Sequence, residues 1–447
     1  MPERPRIVLW PRGRLWRHAD FLKLWSAETV SQVGSQVSGL ALPFVAIVTL
    51  DVSAFEVALL GVVEFAPFIL VTLPAGVLVD RLPRRPILVA GDVGRAALLA
   101  TIPLAYAFDV LTIWHLYAVG FAVGVCTVFF DVAYQSYLPS LVARDQLVEG
   151  NSKLEISRSG AQIGGPGVAG GVIEILTAPV AILADAISFL VSGLFVLGIR
   201  KREPRPERAE PGEKGPGMKA ELMEGLRYVL GHRLLRWIAA STATYNFFGS
   251  LMFAILLVYA VRDLGMSAGV IGVVLAVGNV GFLAGALSAT RISNRIGVGR
   301  AIVAAQVGGF SILLIPLAPQ DAEGAIPFLV AALTVGGFGV VVYNVTQLSL
   351  RQAITPERLQ GRMNSVMRFI VWGVIPLGNL AGGALASLYG LRAAIWVGAV
   401  GCCLAVLPVL LSPVRSVMRV PEPEEAAAED EARVGPGLAP PPVDDRV

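Results

Sequence analysis

Ionisable side chains inside long apolar runs are the residues of this chain that could do chemistry. A carboxylate surrounded by hydrocarbon favours its neutral, protonated form, so it can take up a proton on one side of a membrane and release it on the other. When ionised, the same group attracts a cation. The candidates for this chemistry all lie in the first half of the chain: Glu28, Glu64, Asp131 and Asp185.

Other readings of the polar groups remain open. Each carboxylate could instead make a structural hydrogen bond or mark a helix end near lipid head groups. Asp92 and Arg95, three residues apart, predict a local ion pair or an element of a cytoplasmic gate. The apolar runs of the second half contain only neutral polar groups: Asn246, Asn279, Gln306, Asn344, Gln347 and Asn379.

The elements that must position these residues are membrane-spanning helices. Of the 447 residues, 55% are hydrophobic and 15% charged, and the mean hydropathy is +0.68. A soluble domain would carry roughly a quarter charged residues. Because a bilayer core needs about 20 apolar residues per helix, the sequence predicts twelve spans, near 22–50, 54–79, 86–108, 113–138, 155–177, 179–199, 237–261, 267–290, 299–318, 326–348, 367–389 and 391–412.

The basic residues predict the orientation of these spans. Arg and Lys cluster in every second loop, and positively charged loops stay in the cytoplasm. On the opposite side the exceptions are Arg262 and Arg392. We therefore expect a multi-pass protein of the bacterial inner membrane with both termini cytoplasmic, and an N-terminus that is no cleaved signal peptide.

The chain divides into five predicted regions, giving an all-α membrane fold of two pseudo-symmetric six-helix bundles. Met218–His232 within the central loop predicts an amphipathic helix on the membrane surface. The regions are a cytoplasmic tail (1–20), a first bundle (21–199), a cytoplasmic central loop (200–236), a second bundle (237–412) and a disordered acidic, Pro-rich tail (413–447).

An internal repeat relates the two bundles. Asp131-Val132 is followed twenty residues later by Asn151-Ser152, and Asn344-Val345 is followed at the same spacing by Asn364-Ser365. Gly170-Gly171 is matched in the second half by Gly382-Gly383. Matches in register indicate a duplication, which is the architecture of many secondary transporters.

The loop between the second and third spans carries the sharpest motif, Gly76-Val-Leu-Val-Asp80-Arg81-Leu-Pro-Arg84-Arg85. It resembles the loop signature of the major facilitator superfamily, and the span count, central loop and repeat agree with that family over residues 15 to 412. The resemblance implies a gate: Gly76 would allow close helix approach, and Asp80 would pair across the cytoplasmic side. The alternative is a basic loop that only sets topology.

The fifth span contains Gly164-Gly165-Pro166-Gly167 followed by Gly170-Gly171. It resembles the Gly-Pro signature of the superfamily's export-type members. Small residues at this spacing predict close helix packing, and Pro166 predicts a bend. A dinucleotide site is excluded because no strand precedes these glycines.

The segments 26–43 and 133–142 resemble the subgroup that contains the enterobactin exporter and the macrolide efflux proteins. That resemblance implies export of antibiotics or siderophores, generally by proton antiport. The Arg that superfamily antiporters often carry in span four is absent from His115–Gly124. Either another basic residue serves the coupling, or proton antiport is not retained.

We expect a monomeric multidrug-type antiporter that handles a small organic molecule and protons within the lipid bilayer. Importer and non-transporting sensor remain alternatives. Nucleotide-binding and zinc-protease motifs are absent from the sequence, so we expect no enzymatic activity, cofactor, metal or nucleic-acid partner. Aromatic and amide residues that could line a substrate cavity cluster in the seventh span: Tyr245, Asn246, Phe247 and Phe248.

Overall fold

The computed structural model describes residues 14–143, 146–201 and 218–419, with the side chain of Asp80 among a few left outside that description. The described part is helical and contains no β-strand. Its helices are α1 Ala19–Phe44, α2 Ala54–Leu70, α3 Thr72–Arg81, α4 Arg84–Ala107, α5 Ile113–Leu141, α6 Leu147–Leu176, α7 Ala178–Leu197, α8 Met218–Gly231, α9 Leu235–Arg262, α10 Ala268–Ile296, α11 Val298–Gly308, α12 Leu314–Leu317, α13 Ala322–Ala353, α14 Glu357–Gly373, α15 Ile375–Tyr389, α16 Leu391–Leu404 and α17 Val406–Leu410.

Ten of the helical stretches in the described residues are long and apolar enough to cross a membrane. The predicted second span corresponds to α2 and α3, which are separated at Val71. The predicted fifth span is α6, whose polar first turns begin before residue 155. The helical architecture therefore fits the predicted arrangement, while length and composition alone identify ten of the twelve spans.

Local sequence signals explain where several helices begin. Ser53 accepts a hydrogen bond from the backbone N–H of Glu56, and the Glu56 carboxylate accepts one from the N–H of Ser53, which forms a capping box for α2. Thr112 caps α5, and Asp321 accepts from the N–H of Gly324 at the start of α13. These caps satisfy backbone N–H groups that have no partner within the helix.

The described residues divide into two compact units. Unit 1 comprises Met1–Pro211 and Leu257–Ala276, so the end of α9 and the start of α10 belong with the first seven helices. Unit 2 comprises Gly212–Leu256 and Val277–Val447. In unit 1, α7 packs against α1 and α4, and the buried Tyr137 and Phe21 belong to its core.

The central-loop helix α8 belongs to unit 2 and packs against α14. Glu224 forms an ion pair with Arg362, and the Tyr228 hydroxyl donates to the carbonyl of Ile354 at 3.1 Å. A Cβ on Gly225 would lie 2.9 Å from Cγ2 of Val366, so the two helices approach closely there. A helix thus forms in this segment, and it packs against α14 of unit 2. The preceding loop residues 202–217 lie outside the described residues.

The predicted disordered tail begins too early. Pro413–Ser416 form a 3-10 turn, and Val414 is completely buried in the core of unit 2. The carbonyl of Val417 accepts from the N–H of Gly299 at 2.7 Å, so this segment caps the start of α11. Residues 420–447, the rest of that predicted tail, lie outside the described residues.

Candidate functional site

A buried ion pair lies inside unit 1. Asp92 on α4 has no exposed surface, and Arg95, one turn further along, is 4% exposed. Their Oδ1 and guanidinium nitrogen are 2.6 Å apart, and Ser192 on α7 donates to the other Asp92 oxygen at 2.8 Å. The local ion pair expected from the sequence is thus confirmed. A buried charge pair needs such additional hydrogen bonds to be tolerated.

Two aromatic rings enclose the guanidinium of Arg95. The ring centroid of Phe130 on α5 lies 4.3 Å from the guanidinium carbon, and that of Phe189 on α7 lies 4.0 Å from it. Ring faces attract a cation, and the attraction is stronger where water is excluded. Arg95 is therefore held by three helices.

Asp185 is the second fully buried carboxylate of unit 1, at 1% exposure. It accepts a hydrogen bond from Ser188 at 3.0 Å. A Cβ on Gly34 of α1 would lie 2.6 Å from an Asp185 oxygen, so the glycine provides the space for this side chain. Close contact of α1 and α7 thus depends on Gly34 where the carboxylate passes between them.

Glu28 and Asp131 complete a set of four carboxylates around one guanidinium. Arg95 attracts Glu28, Asp131 and Asp185 electrostatically in addition to its direct partner Asp92. Glu28 is partly buried and accepts from Gln32 at 2.7 Å, while Asp131 is exposed. The carboxylates therefore range from completely buried to accessible. We call Glu28, Asp92, Arg95, Asp131 and Asp185 the charge network.

Glu64 lies outside the charge network, between α2 and α5. A Cβ on Gly120 would lie 3.0 Å from Cγ of Glu64, and one on Gly124 would lie 2.8 Å from Cγ of Pro67. Two small residues four apart thus let α5 approach α2 at the carboxylate. Within the described residues, the Glu64 carboxylate forms no hydrogen bond or ion pair.

The comparisons with known proteins agree with this architecture. The family described as "transmembrane secretion effector" matches residues 15–443. The chain belongs to this family of the major facilitator superfamily.

Several family relatives are described as efflux proteins. The multidrug efflux pump Tap of Mycolicibacterium fortuitum is 26% identical over 396 residues, covering 84% of this chain and 91% of its own. Macrolide efflux protein A of Streptococcus pyogenes is 22% identical over 406 residues, covering 89% and 97%. An uncharacterised transporter of the superfamily, YvqJ of Bacillus subtilis, is 24% identical over 80% of this chain and 84% of its own.

Solved structures confirm the fold. A bacterial homologue of the iron transporter ferroportin in the inward-facing state has a TM-score of 0.71 at 16% identity, covering 88% of this chain and 98% of that one. The nucleoside transporter NupG has a TM-score of 0.68 at 12% identity, covering 88% and 98%. At these identities the likeness shows the major facilitator fold alone.

The family's loop signature lies at the inner end of unit 1, which we define as the end where α1 begins and which is predicted to be cytoplasmic. Arg85 donates to the carbonyls of Val196 and Leu197, so it caps the end of α7. Arg81 is exposed, and Arg84 is partly buried. The side chain of Asp80, the predicted gate carboxylate, lies outside the described residues.

Three glycines that were expected to allow close helix packing, one in this loop and two in α6, contact no other helix among the described residues. A Cβ on Gly76 would meet no atom of the described residues within 4 Å, and the same holds for Gly164 and Gly171. Among the residues that the structure describes, no other helix therefore comes close at these three positions. They face open space because adjacent positions of a helix point in different directions.

Gly165 and Gly170 of the Gly-Pro segment do sit at close contacts. A Cβ on Gly165 would lie 2.7 Å from Cβ of Gln36 on α1. One on Gly170 would lie 2.9 Å from Cα of Gly272, so α6 crosses the start of α10 nearly backbone to backbone within unit 1. Pro166 lies between them inside the continuous helix α6.

Both arginines that violate the predicted charge pattern bind backbone carbonyls. Arg262, at the end of α9, pairs with Asp51 at 2.7 Å and donates to the carbonyl of Val52 at 2.8 Å, all within unit 1. Arg392 in unit 2 donates to the carbonyl of Pro316 at 3.0 Å. Each of these charges is therefore bound by nearby protein groups, which explains why an arginine is tolerated in a loop on the side opposite the positively charged loops.

The aromatic cluster of α9 is tied into unit 2. Asn246 donates to the carbonyl of Val371 at 2.9 Å, and the rings of Phe247 and Phe248 meet edge to face at 5.1 Å. A Cβ on Gly401 would lie 2.6 Å from Cδ2 of Phe248, so this ring packs against α16. Tyr245 is partly buried beside Gly249 and Cys402. The Phe248 ring therefore packs inside unit 2, as a core side chain does.

Sequence reasoning missed the role of Arg95 as the shared cation, together with Ser192 and Phe189. The three-residue spacing of Asp92 and Arg95 signalled the pair. No sequence signal could have placed Ser192 on Asp92, because the two are 100 residues apart in the chain.

Proposed function

We propose that this membrane transporter exports a small organic molecule, an antibiotic, a siderophore or a related metabolite, by proton antiport with alternating access. It would act as a monomer in the bacterial inner membrane, with both termini in the cytoplasm. The observation that supports this most strongly is the charge network, in which Arg95 pairs with Asp92 and also attracts Glu28, Asp131 and Asp185.

The imbalance of charge explains why such a network would exchange protons. One guanidinium neutralises one carboxylate, so the buried Asp185 and the partly buried Glu28 are favourable only when protonated or when a cation lies beside them. Asp131 is exposed and is also attracted by Arg158. Asp92 keeps Arg95 in place through the 2.6 Å contact. Arg95 on α4, the third span, would thus serve as the basic partner in place of the arginine that superfamily antiporters often carry in span four.

The gradation of burial indicates which acids exchange. Asp131 is exposed and Glu28 partly buried, whereas Asp92 and Asp185 have almost no exposed surface. We assign proton loading and release to Glu28 and Asp131, and electrostatic support to the buried pair. Glu64 would provide a second, isolated protonatable group. Protonation from the outer side would weaken cation binding, and deprotonation on the inner side would restore it.

The relatives support the outward direction. Tap is described as a multidrug efflux pump and macrolide efflux protein A as an efflux protein. Their identities of 26% and 22% do not define a substrate for this chain.

Everted membrane vesicles test the proposal directly. A panel of antibiotics and metabolites on cells with and without the gene identifies a compound, whose uptake into respiring vesicles is then followed with and without a protonophore. We expect uptake that collapses with the gradient and that is lost in Glu28→Gln and Asp131→Asn, but kept in the control Glu149→Gln, whose native carboxylate pairs with Lys153.

Two results would contradict it. Full gradient-driven uptake by both Glu28→Gln and Asp131→Asn would refute the assignment of these two residues to proton coupling. Full uptake by Glu64→Gln would refute the role of Glu64. Expression that raises accumulation of the compound in whole cells would indicate import.

A further inference from the structure

Unit 2 holds a buried guanidinium that no acid of the described residues neutralises. Arg351, in the last turn of α13, is 9% exposed, and one of its nitrogens donates to the side-chain oxygen of Asn364 on α14 at 3.2 Å. The titratable group beside it is the hydroxyl of Tyr343, which is neutral at ordinary pH. A buried charge without a counter-charge is strongly unfavourable, so this guanidinium calls for an anion.

The packing of the helices does not require an arginine at this position. Arg351 lies seven residues after Asn344, and the repeat-related position in unit 1, seven residues after Asp131, is Leu138. Leu138 is 4% exposed and belongs to the hydrophobic core of unit 1. An aliphatic side chain therefore serves the same place in the duplicated fold, and the charge in unit 2 needs another explanation.

Two donors beside this contact remain available to a ligand. Unlike Arg262 and Arg392, Arg351 donates to no backbone carbonyl of the described chain. Its Nε is buried without a partner, whereas its second terminal nitrogen, Nη1, has no partner among the described residues and keeps accessible surface. Asn364 is exposed, and because its oxygen accepts from Arg351, its NH₂ group is left for another acceptor.

We propose that Arg351 and Asn364 bind an oxyanion, a carboxylate or a phosphate, on the side of the membrane where α13 ends, which is predicted to be cytoplasmic. One oxygen accepts from Nη1 of Arg351 and the other from the amide of Asn364, which is a charge-assisted contact at two points. Two sources carry this chemistry: the acidic group of an exported molecule and the phosphate of a lipid head group. Only the first source rests on the proposed export function.

Small probes test the site on the full chain in phosphatidylcholine nanodiscs. The melting temperature is followed against benzoate, inorganic phosphate and benzamide, which has the shape of benzoate without its charge, while sodium chloride keeps the ionic strength constant. A ligand that binds only the folded protein raises the melting temperature with the concentration dependence of its dissociation constant. We expect benzoate and phosphate to raise it and benzamide to have no effect.

Two variants and a control locate the effect. Arg351→Gln should weaken binding of both anions by about tenfold, and Asn364→Ala by about fivefold, since each removes one donor. Arg415→Gln, which removes an exposed arginine of the same unit, should leave both dissociation constants unchanged. Without added oxyanions, Arg351→Gln should melt no lower than the wild type, because it removes a buried charge that has no counter-charge.

Nanodiscs that also contain phosphatidylglycerol distinguish the two sources. If an anionic head group fills the site, this lipid should abolish the response to benzoate and phosphate, whereas a site open to soluble acids should respond equally in both lipids. A wild-type protein that ignores both anions in phosphatidylcholine would overturn the proposal, as would equal responses of the wild type and Arg351→Gln. No proton gradient enters these measurements, so the antiport proposal can fail while the oxyanion site stands.

Discussion

The buried polar groups of the two units differ in kind. In unit 1 a charged pair, Asp92 and Arg95, lies among hydroxyl and aromatic side chains. In unit 2 the corresponding interior is held by neutral hydrogen bonds: Gln306 donates to Ser241 at 2.9 Å, and the hydroxyls of Thr242 and Tyr343 are 2.7 Å apart. Of the described carboxylates, both that are completely buried belong to unit 1.

Unit 2 also contains one buried cation, but it has no acid beside it among the described residues. Arg351 is 9% exposed, and its guanidinium donates to the side-chain oxygen of Asn364 at 3.2 Å. An amide neither gains nor loses a proton in the physiological range, so this contact cannot respond to a proton gradient. The comparison teaches that, among the described residues, buried acid–base pairing is confined to unit 1, while the interior of unit 2 is joined by hydrogen bonds of neutral side chains and one arginine.

Removing the cation of unit 1 should have the largest effect. Arg95→Leu leaves Asp92 buried without its partner, which should lower the free energy of unfolding by about 3–5 kcal/mol. Gln306→Leu in unit 2 removes one neutral hydrogen bond and should cost about 1 kcal/mol. Thermal unfolding of the detergent-solubilised protein measures both.

The double variant Asp92→Asn with Arg95→Leu provides the control. It removes both charges and should recover most of the lost stability. Equal losses for Arg95→Leu and Gln306→Leu would show that the two polar interiors do not differ as we describe.

Exchanging the repeat-related pair Asp131 and Asn344 should have a smaller but more specific effect. Both residues are exposed in the structure, so neither change disturbs a core. Asp131→Asn should reduce gradient-driven uptake in everted vesicles by about tenfold or more, because a group that carries protons is lost. Asn344→Asp should leave uptake unaltered without restoring it in the Asp131→Asn background, and restoration would show that either half can carry the coupling.

The smallest effect is expected for Tyr343→Phe in unit 2. The Tyr343 hydroxyl lies 2.7 Å from that of Thr242 and donates to the carbonyl of Ile238 at 3.4 Å. Thr242 keeps its own bond to that carbonyl at 2.8 Å, so losing the Tyr343 hydroxyl should cost about 1 kcal/mol. The pH dependence of uptake should match that of the wild type. A shifted pH profile would mean that the neutral interior of unit 2 takes part in proton coupling.

Hydropathy predicted the helices well because the bilayer requirement acts on whole segments. It did not predict where α13 ends: the predicted span stops at 348, whereas the helix continues to Ala353 and brings Arg351 inside. A guanidinium can enter a helix interior when a neighbouring side chain such as Asn364 accepts from it. That partner lies on the following helix, so a window over one segment cannot detect it.

The residues of the candidate site were predictable from the sequence only in part, because contacts between separate helices cannot be seen in one segment. The acids were visible because charge is rare in apolar runs, and Asp92–Arg95 because they share one helix. Burial was not visible, since it depends on which face of a helix meets a neighbour. Gly34 beside Asp185 and Phe189 beside Arg95 come from contacts between helices that are far apart in the chain.

The contacts of Arg262 with Asp51 and the carbonyl of Val52 have a consequence for the order in which the chain folds during synthesis. Arg262 and Asp51 are 211 residues apart, and the segment 257–276 that carries Arg262 is part of unit 1. Unit 1 is therefore formed by two separate segments of the chain. Its fold cannot be complete until the start of α10 has been synthesised. Since closing so long a loop is entropically unfavourable, we expect the first seven helices to assemble early and this segment to dock late. A nascent chain that stalls before residue 257 would leave Asp51 and the carbonyl of Val52 without their partner.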